Sequence, residues 1–396
     1  MRKMRYLLPF LLAMLLVGCS ASKDAAENKS DTENIIDGTE DNPMKDITPT
    51  EAVKQDTTDK SATTENSNED NSSKATTDLN DSGDSVVTDT ADKNKTDDSL
   101  ITDTTEDTTE TVVLKPYTQV DKIPEECLIK REDSSGTIEH VSYTTYDYFG
   151  DSSTAITKHA YVYLPNNYDK SKQYNVLYLM HGIGGTEIEW GMYDDNSRVK
   201  IMMDNLIYNG EIDPFIVVVP NGRSSVNFAN ASSDYNAFYV FGQELRNDLI
   251  PYIENNYATY AKYDANGYDL TATRDHRAMA GLSMGGMQTI NIGLCESLDI
   301  ISSFGAFSAA PTSYPASRIS NVLKDYTDYR INYFYNICGK EDNIAYTSAS
   351  AAVTSLTSLT DKLTEGKNFI WQEVSGGHGF DVWYLGFYNF AQLAFR

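Results

Sequence analysis

Residues 20–115 contain no phenylalanine, tyrosine or tryptophan. A stretch of that length built from Thr, Ser, Asp, Asn, Glu and Lys cannot bury enough apolar surface to offset its chain entropy, so it is expected to be disordered. It carries 25 acidic against 9 basic residues, −16 of the formal −26 of the 396-residue chain. The acidity therefore describes this segment and says little about what the rest binds. Long apolar runs are also missing: the longest, Leu7 to Val17, is too short to span a bilayer comfortably. Histidine is scarce, five in all, and no H-E-x-x-H spacing occurs, so neither a metal nor a cofactor is expected. Cysteine is scarce too, four in all.

The apolar run follows Arg2, Lys3 and Arg5 and ends in Leu16-Val17-Gly18-Cys19. This reads as a secretory signal over residues 1–18. Its end resembles a bacterial lipobox, which implies that Cys19 carries lipid and that the protein sits on the cell surface, tethered to a membrane by acyl chains alone. Residues 19–115 would then be a linker, with a coil dimension of roughly 55 Å. Removing Cys19 leaves Cys127, Cys295 and Cys338, an odd number that allows at most one disulfide. Buried thiols are expected at Cys295 and Cys338.

Residues 116–396 hold nearly all the aromatics and suffice for one large core. Alternation of apolar and polar residues over 138–148 and 154–164 predicts an antiparallel pair of strands. The unbroken apolar run 175–180 predicts a strand covered on both faces. Helices are expected over 197–208, 242–257 (kinked or restarted at Pro251), 316–325 and 346–363, and from 382. Strands are expected at 215–219, before residue 283, and at 304–307, 332–338 and 369–373. Strand and helix in turn imply an α/β fold, a mostly parallel sheet with helices on both faces.

The run Ala280-Gly281-Leu282-Ser283-Met284-Gly285-Gly286 places a serine in a Gly-x-Ser-x-Gly turn between a buried strand and a helix. Such a turn can simply cap a helix, but it can also present Ser283 as a nucleophile. A serine hydroxyl needs a base, and the base needs a carboxylate to fix its tautomer. His140 and His159 fall in the early strands, and His276 lies at the wrong end of the serine's strand. His181 is flanked by glycines that suit another task. His378 in Ser375-Gly376-Gly377-His378-Gly379 follows the last strand, where a parallel sheet presents its ligand-binding edge. The acid should emerge at the same edge, as Asp342 or Glu341 after the strand at 332–338, with Asp342 favoured. Two backbone amides must face the developing oxyanion; Met284 and Ile183, in His181-Gly182-Ile183-Gly184-Gly185, are the candidates.

Taken with Trp190, Pro220-Asn221, the segment 249–254, Phe380 and Val382-Trp383, these motifs run in order from about 138 to 396. Together they resemble the bacterial feruloyl esterases of carbohydrate esterase family 1, a wider family that includes esterase D and the mycolyltransferases. The resemblance implies an α/β-hydrolase fold without a large lid and a Ser283, Asp342, His378 triad. It also implies release of ferulic and related hydroxycinnamic acids from plant cell-wall arabinoxylan. Acetyl xylan esterase and acyltransferase activities share the same machinery. A noncatalytic carbohydrate-binding surface protein, suggested by 27 tyrosines, would not need it. No nucleic-acid partner is expected.

Overall fold

The computed structural model describes residues 114–396 except 231, 233, 234, 265 and 266, so the leader, Cys19 and all of the acidic linker but its last two residues lie outside the described residues. Strands β1 (Thr137–Tyr146) and β2 (Ala155–Leu164) form the antiparallel pair that the alternation predicts. They are followed by β3 (Val176–Met180), helix α1 (Arg198–Tyr208), β4 (Ile216–Pro220) and α2 (Phe241–Glu244). Helix α3 (Ile250–Asn256), the short hairpin β5 (Tyr263–Asp264) and β6 (Gly267–Tyr268), then β7 (Arg277–Leu282) and α4 (Met284–Gln288) come next. The chain closes with β8 (Ser303–Phe307), α5 (Ala316–Leu323), β9 (Tyr333–Gly339), α6 (Tyr346–Val353), α7 (Leu356–Leu359), β10 (Phe369–Val374) and α8 (Phe380–Ala391).

Eight strands make one sheet in the order β1-β2-β4-β3-β7-β8-β9-β10, parallel from β4 to β10. In β3 the reason is visible residue by residue. Val176, Tyr178 and Met180 enter the core on one face of the sheet, and Leu177 and Leu179 enter the core on the other. The first core packs under α2, α3 and α5; the second under α1, α8 and residues 117–128 of the N-terminal segment. All three described cysteines are buried free thiols, and burial pushes Cys295 and Cys338 up to about 12.

Two helices are interrupted, the first of them next to Pro251, where a kink or restart is expected. The segment 242–257 is not a uniform α-helix: a π-helical turn, Leu245–Leu249, separates α2 from α3, and Pro251 stands in the first turn of α3, where its missing N–H costs nothing. The segment 346–363 breaks into α6 and α7. There the Thr354 hydroxyl bonds the Ser350 carbonyl, the local competition that weakens Ser/Thr-rich helices. The β5–β6 hairpin, with Tyr263 and Tyr268 stacked at 4.5 Å, was not expected. Among the described residues no helix is long and apolar enough to cross a membrane.

His181, directly after β3, ties two loops together. It is fully buried; Nε2 accepts the Gly222 N–H and Nδ1–H donates to the Gly182 carbonyl, both at 2.8 Å. Burial, reinforced by the charge of Arg223, pushes its pKa down to about 3, so the ring is neutral in the folded protein. The unfolded chain therefore takes up this proton first. The stability that follows is complete above about pH 6.5 and is lost as pH falls from there toward 3, by at most about 1.4 kcal/mol per pH unit. In urea titrations between pH 6.5 and 4.5, wild type should lose stability more steeply than His181→Gln; parallel curves would overturn this assignment.

Candidate active site

Ser283 joins β7 to α4 with φ 51° and ψ −113°, a backbone conformation that costs a non-glycine residue about 1–3 kcal/mol. The neighbouring glycines are dictated by contact. A Cβ on Gly281 would lie 2.6 Å from the Gly285 carbonyl carbon, and one on Gly285 would lie 2.6 Å from the Met180 oxygen. Backbone bonds hold the turn: Ser283 N–H donates to Phe307 O at 2.9 Å, and Ser283 O accepts from Met287 and Ala310.

Asp342 and His378 follow β9 and β10, whose parallel pairing brings both loops to the edge that carries Ser283. His378 Nε2 lies 3.0 Å from Ser283 Oγ, and Nδ1 lies 2.8 Å from Asp342 Oδ2. With a carboxylate on one side, Nδ1 carries the proton and Nε2 is free to accept from the serine hydroxyl. Asp342 is 2 % exposed. Burial pushes its pKa up, but the Ala345 and Ile344 amides on Oδ1 and the His378 contact outweigh that and hold the carboxyl below its usual range. The Cys338 thiol also approaches Oδ2, at 3.6 Å.

Glu341 takes a different part. Its carboxylate accepts the Gly376 N–H at 2.6 Å, so it moors the start of the histidine loop, while the hydrogen bonds of the imidazole go to Asp342 and Ser283. Close approach reinforces this mooring, since a Cβ on Gly339 would lie 2.0 Å from the Gly376 oxygen. The Trp383 ring meets the His378 ring edge to face at 5.1 Å.

The loop 182–185 lies against the nucleophile: a Cβ on Gly182 would lie 3.4 Å from Ser283 Cβ. Its outward groups are spoken for one at a time. Gly182 N–H donates to Glu189 at 2.6 Å; Gly182 O accepts from His181 and, at 3.2 Å, from Gly185 N–H; Arg223 donates to the carbonyls of Ile183 and Gly185. Burial pushes the Glu189 carboxyl up, opposed by the Gly182 amide and the nearby Arg223 and His378. No acceptor among the described residues takes the N–H of Ile183 or of Met284, the first residue of α4. These are the two amides the sequence singles out.

The other histidines are elsewhere. His276 stacks on Tyr260 at 3.6 Å, at the opposite end of β7, and His140 and His159 sit side by side on β1 and β2. The sequence reading missed Arg223, Glu189 and the pair Lys158–Glu244 described below. Position 158 did carry a signal: it shares the parity of Ala160, Val162 and Leu164, which all face the core.

Comparison with known proteins agrees with this geometry. The model of the family described as Putative esterase matches residues 153–384. Endo-1,4-beta-xylanase Y of Acetivibrio thermocellus is 32% identical over 209 residues, 51% of this chain and 18% of that protein. The endo-1,4-beta-xylanase/feruloyl esterase of Xylanibacter ruminicola is 36% identical over 165 residues, 40% of this chain and 20% of that protein. The chain thus matches about a fifth of the length of these relatives. Among solved structures, the feruloyl esterase module from Clostridium thermocellum, complexed with sinapinate, superposes with a TM-score of 0.59 at 26% identity. That match covers 72% of this chain and 96% of the module. The chain belongs to the Putative esterase family, and its matched segment is a carboxylic-ester hydrolase domain of the α/β-hydrolase fold.

Proposed function

We propose that the protein is a serine esterase that releases ferulic and related hydroxycinnamic acids from esterified arabinoxylan through an acyl-enzyme. The observation that carries this reading is the unbroken line Asp342–His378–Ser283 beside two amides left without acceptors. Ser283 Oγ bonds the ester carbon as its proton passes to His378 Nε2, and the amides of Ile183 and Met284 receive the negative oxygen. The imidazolium, held by Asp342, then gives that proton to the departing sugar oxygen. Water repeats the sequence to free the acid. The choice of acyl group is supported by the relative named as a xylanase/feruloyl esterase and by the structural neighbour complexed with sinapinate. Release of ferulate, p-coumarate and acetate from arabinoxylan should be compared directly; a preference for acetate would replace this substrate with an acetyl ester.

Ser283→Ala should abolish hydrolysis and labelling by a serine-directed phosphonate, with the fold intact. Asp342→Asn should lower the rate by up to about 10⁴-fold, the scale seen when a triad acid becomes its amide. Glu341→Gln keeps an acceptor for Gly376 N–H and should cost far less. Labelling at another residue, or a larger loss at Glu341 than at Asp342, would break the assignment.

We further propose that the protein is held to a membrane through lipid on Cys19, facing outside. Cys19→Ser should then leave ester hydrolysis unchanged and move the protein to the soluble fraction. Continued membrane fractionation after signal removal would sink the anchor.

A further inference from the structure

Three charged side chains outside the triad, Lys158, Glu244 and Arg223, are fully buried and belong to one hydrogen-bonded chain. Lys158 Nζ lies 2.7 Å from both Glu244 oxygens and donates to the carbonyls of Asn221 at 2.8 Å and Arg223 at 2.7 Å. All three ammonium protons thus have acceptors. Glu244 also accepts from Ser224 Oγ at 2.6 Å and Tyr143 OH at 2.5 Å. The result is a fixed backbone at 221–224, just past the end of β4. From it the Arg223 side chain extends over the Phe238 ring, 4.7 Å from its centre, and reaches the glycine loop. There Nη1 donates to Gly185 O at 2.7 Å and Nη2 donates to Ile183 O.

Stability alone does not account for so much buried charge. Replacing a buried ion pair by apolar residues of similar volume is often neutral or favourable, so such pairs are weak evidence of stabilisation. What the arrangement does is aim peptide planes. In a trans peptide the carbonyl and the following N–H point in opposite directions. His181 and the Gly185 N–H hold Gly182 O, which turns the Ile183 N–H the other way; Arg223, by holding Ile183 O and Gly185 O, closes the turn on both sides of Gly184 and so keeps the Gly185 N–H on Gly182 O. Gly184 needs such a hold, because it is exposed and a Cβ there would meet nothing within 4 Å.

We propose that Arg223 is a positioning residue for ester hydrolysis, fixing the 182–185 loop so that the Ile183 amide faces the oxyanion, with Lys158 and Glu244 fixing Arg223 in turn. This rests on the serine-esterase reading above.

The test uses Arg223→Ala and Arg223→Lys with methyl ferulate as substrate, phenylboronic acid as a tetrahedral anionic adduct of Ser283, and ferulate as product inhibitor. Arg223→Ala should lower kcat about 10²-fold, the scale of a misaimed oxyanion donor, and weaken boronate inhibition by a similar factor. KM and ferulate inhibition should stay close to wild type. Arg223→Lys, which keeps the charge but loses the two-pronged grip, should fall between. Millimolar guanidinium should restore part of both losses in Arg223→Ala. A folded Arg223→Ala with kcat and boronate affinity near wild type overturns the proposal. So does a loss of activity that tracks only a lowered melting temperature, with boronate affinity unchanged and no rescue. Should Arg223→Ala fail to fold, the boronate and kcat values of Arg223→Lys decide on the same terms. Wild type inert toward every ester would instead sink the underlying reading, whereas normal Arg223→Ala kinetics beside an inactive Ser283→Ala would sink this inference alone.

Discussion

Ser283 cannot leave its φ of 51° without releasing the bonds around it, and much of the site depends on that fixed turn. A residue in this conformation pays with backbone energy for a side chain that projects off the end of a strand, clear of both neighbouring peptides. The strain persists because the sheet over-determines it. β7 is hydrogen-bonded to β3 on one side and β8 on the other, Gly285 packs against the Met180 and His181 carbonyls, and Ser283 N–H is anchored to β8. With Oγ fixed, the loops after β9 and β10 have one place where an acid and a base can meet it.

Buried charge is used at both ends of this central region, to different effect. At the start of β7, Arg277 forms a two-bond pair with Glu254, at 2.7 and 2.9 Å, and also donates to the carbonyls of Leu270 and Ile300. That cluster sits at the far end of the strand from Ser283 and gathers the incoming chain. At the opposite edge Lys158 and Glu244 fix the segment after β4, and Arg223 carries that order to the loop beside the nucleophile. The common feature is that cations satisfy several backbone carbonyls at once where loops must take irregular but definite paths.

Much of this was legible in the sequence because it depends on local pattern. Apolar runs, turn glycines and the order of strand ends are enough to put Ser283, Asp342 and His378 at one sheet edge, and the structure brings those three side chains into hydrogen-bond range. What could not be read is what distant contacts decide. Lys158 meets Glu244 across 86 positions, and Arg223 meets Ile183 across 40. No local rule distinguishes such an arginine from a solvated one after a Pro-Asn-Gly turn. Pro251 announced the restart of the helix at α3, but the π-helical form of the turn before it and the break between α6 and α7 were hidden, since residue periodicity near 3.6 survives both. Glu341 shows the same limit at short range: adjacent to the acid in sequence, it is bonded to the histidine loop's backbone and not to its ring.

A loop that serves as an oxyanion hole faces a conflict. Its donors must be free of internal acceptors, yet a backbone without internal bonds is mobile, and a mobile donor must be ordered again during the reaction. Glycines sharpen the conflict, since they allow the required path and also allow many others. Here the loop is held by its acceptors. Each carbonyl from Gly182 to Gly185, apart from that of exposed Gly184, receives a donor from His181, Arg223 or the loop itself, while the amides of Ile183 and Met284 receive no acceptor among the described residues. Both of the side chains that do this are buried, and His181 is kept neutral by that burial, so it remains a one-proton donor at Nδ1 across the range where a histidine base can work. Rigidity and free donors are thereby assigned to opposite sides of the same peptide planes.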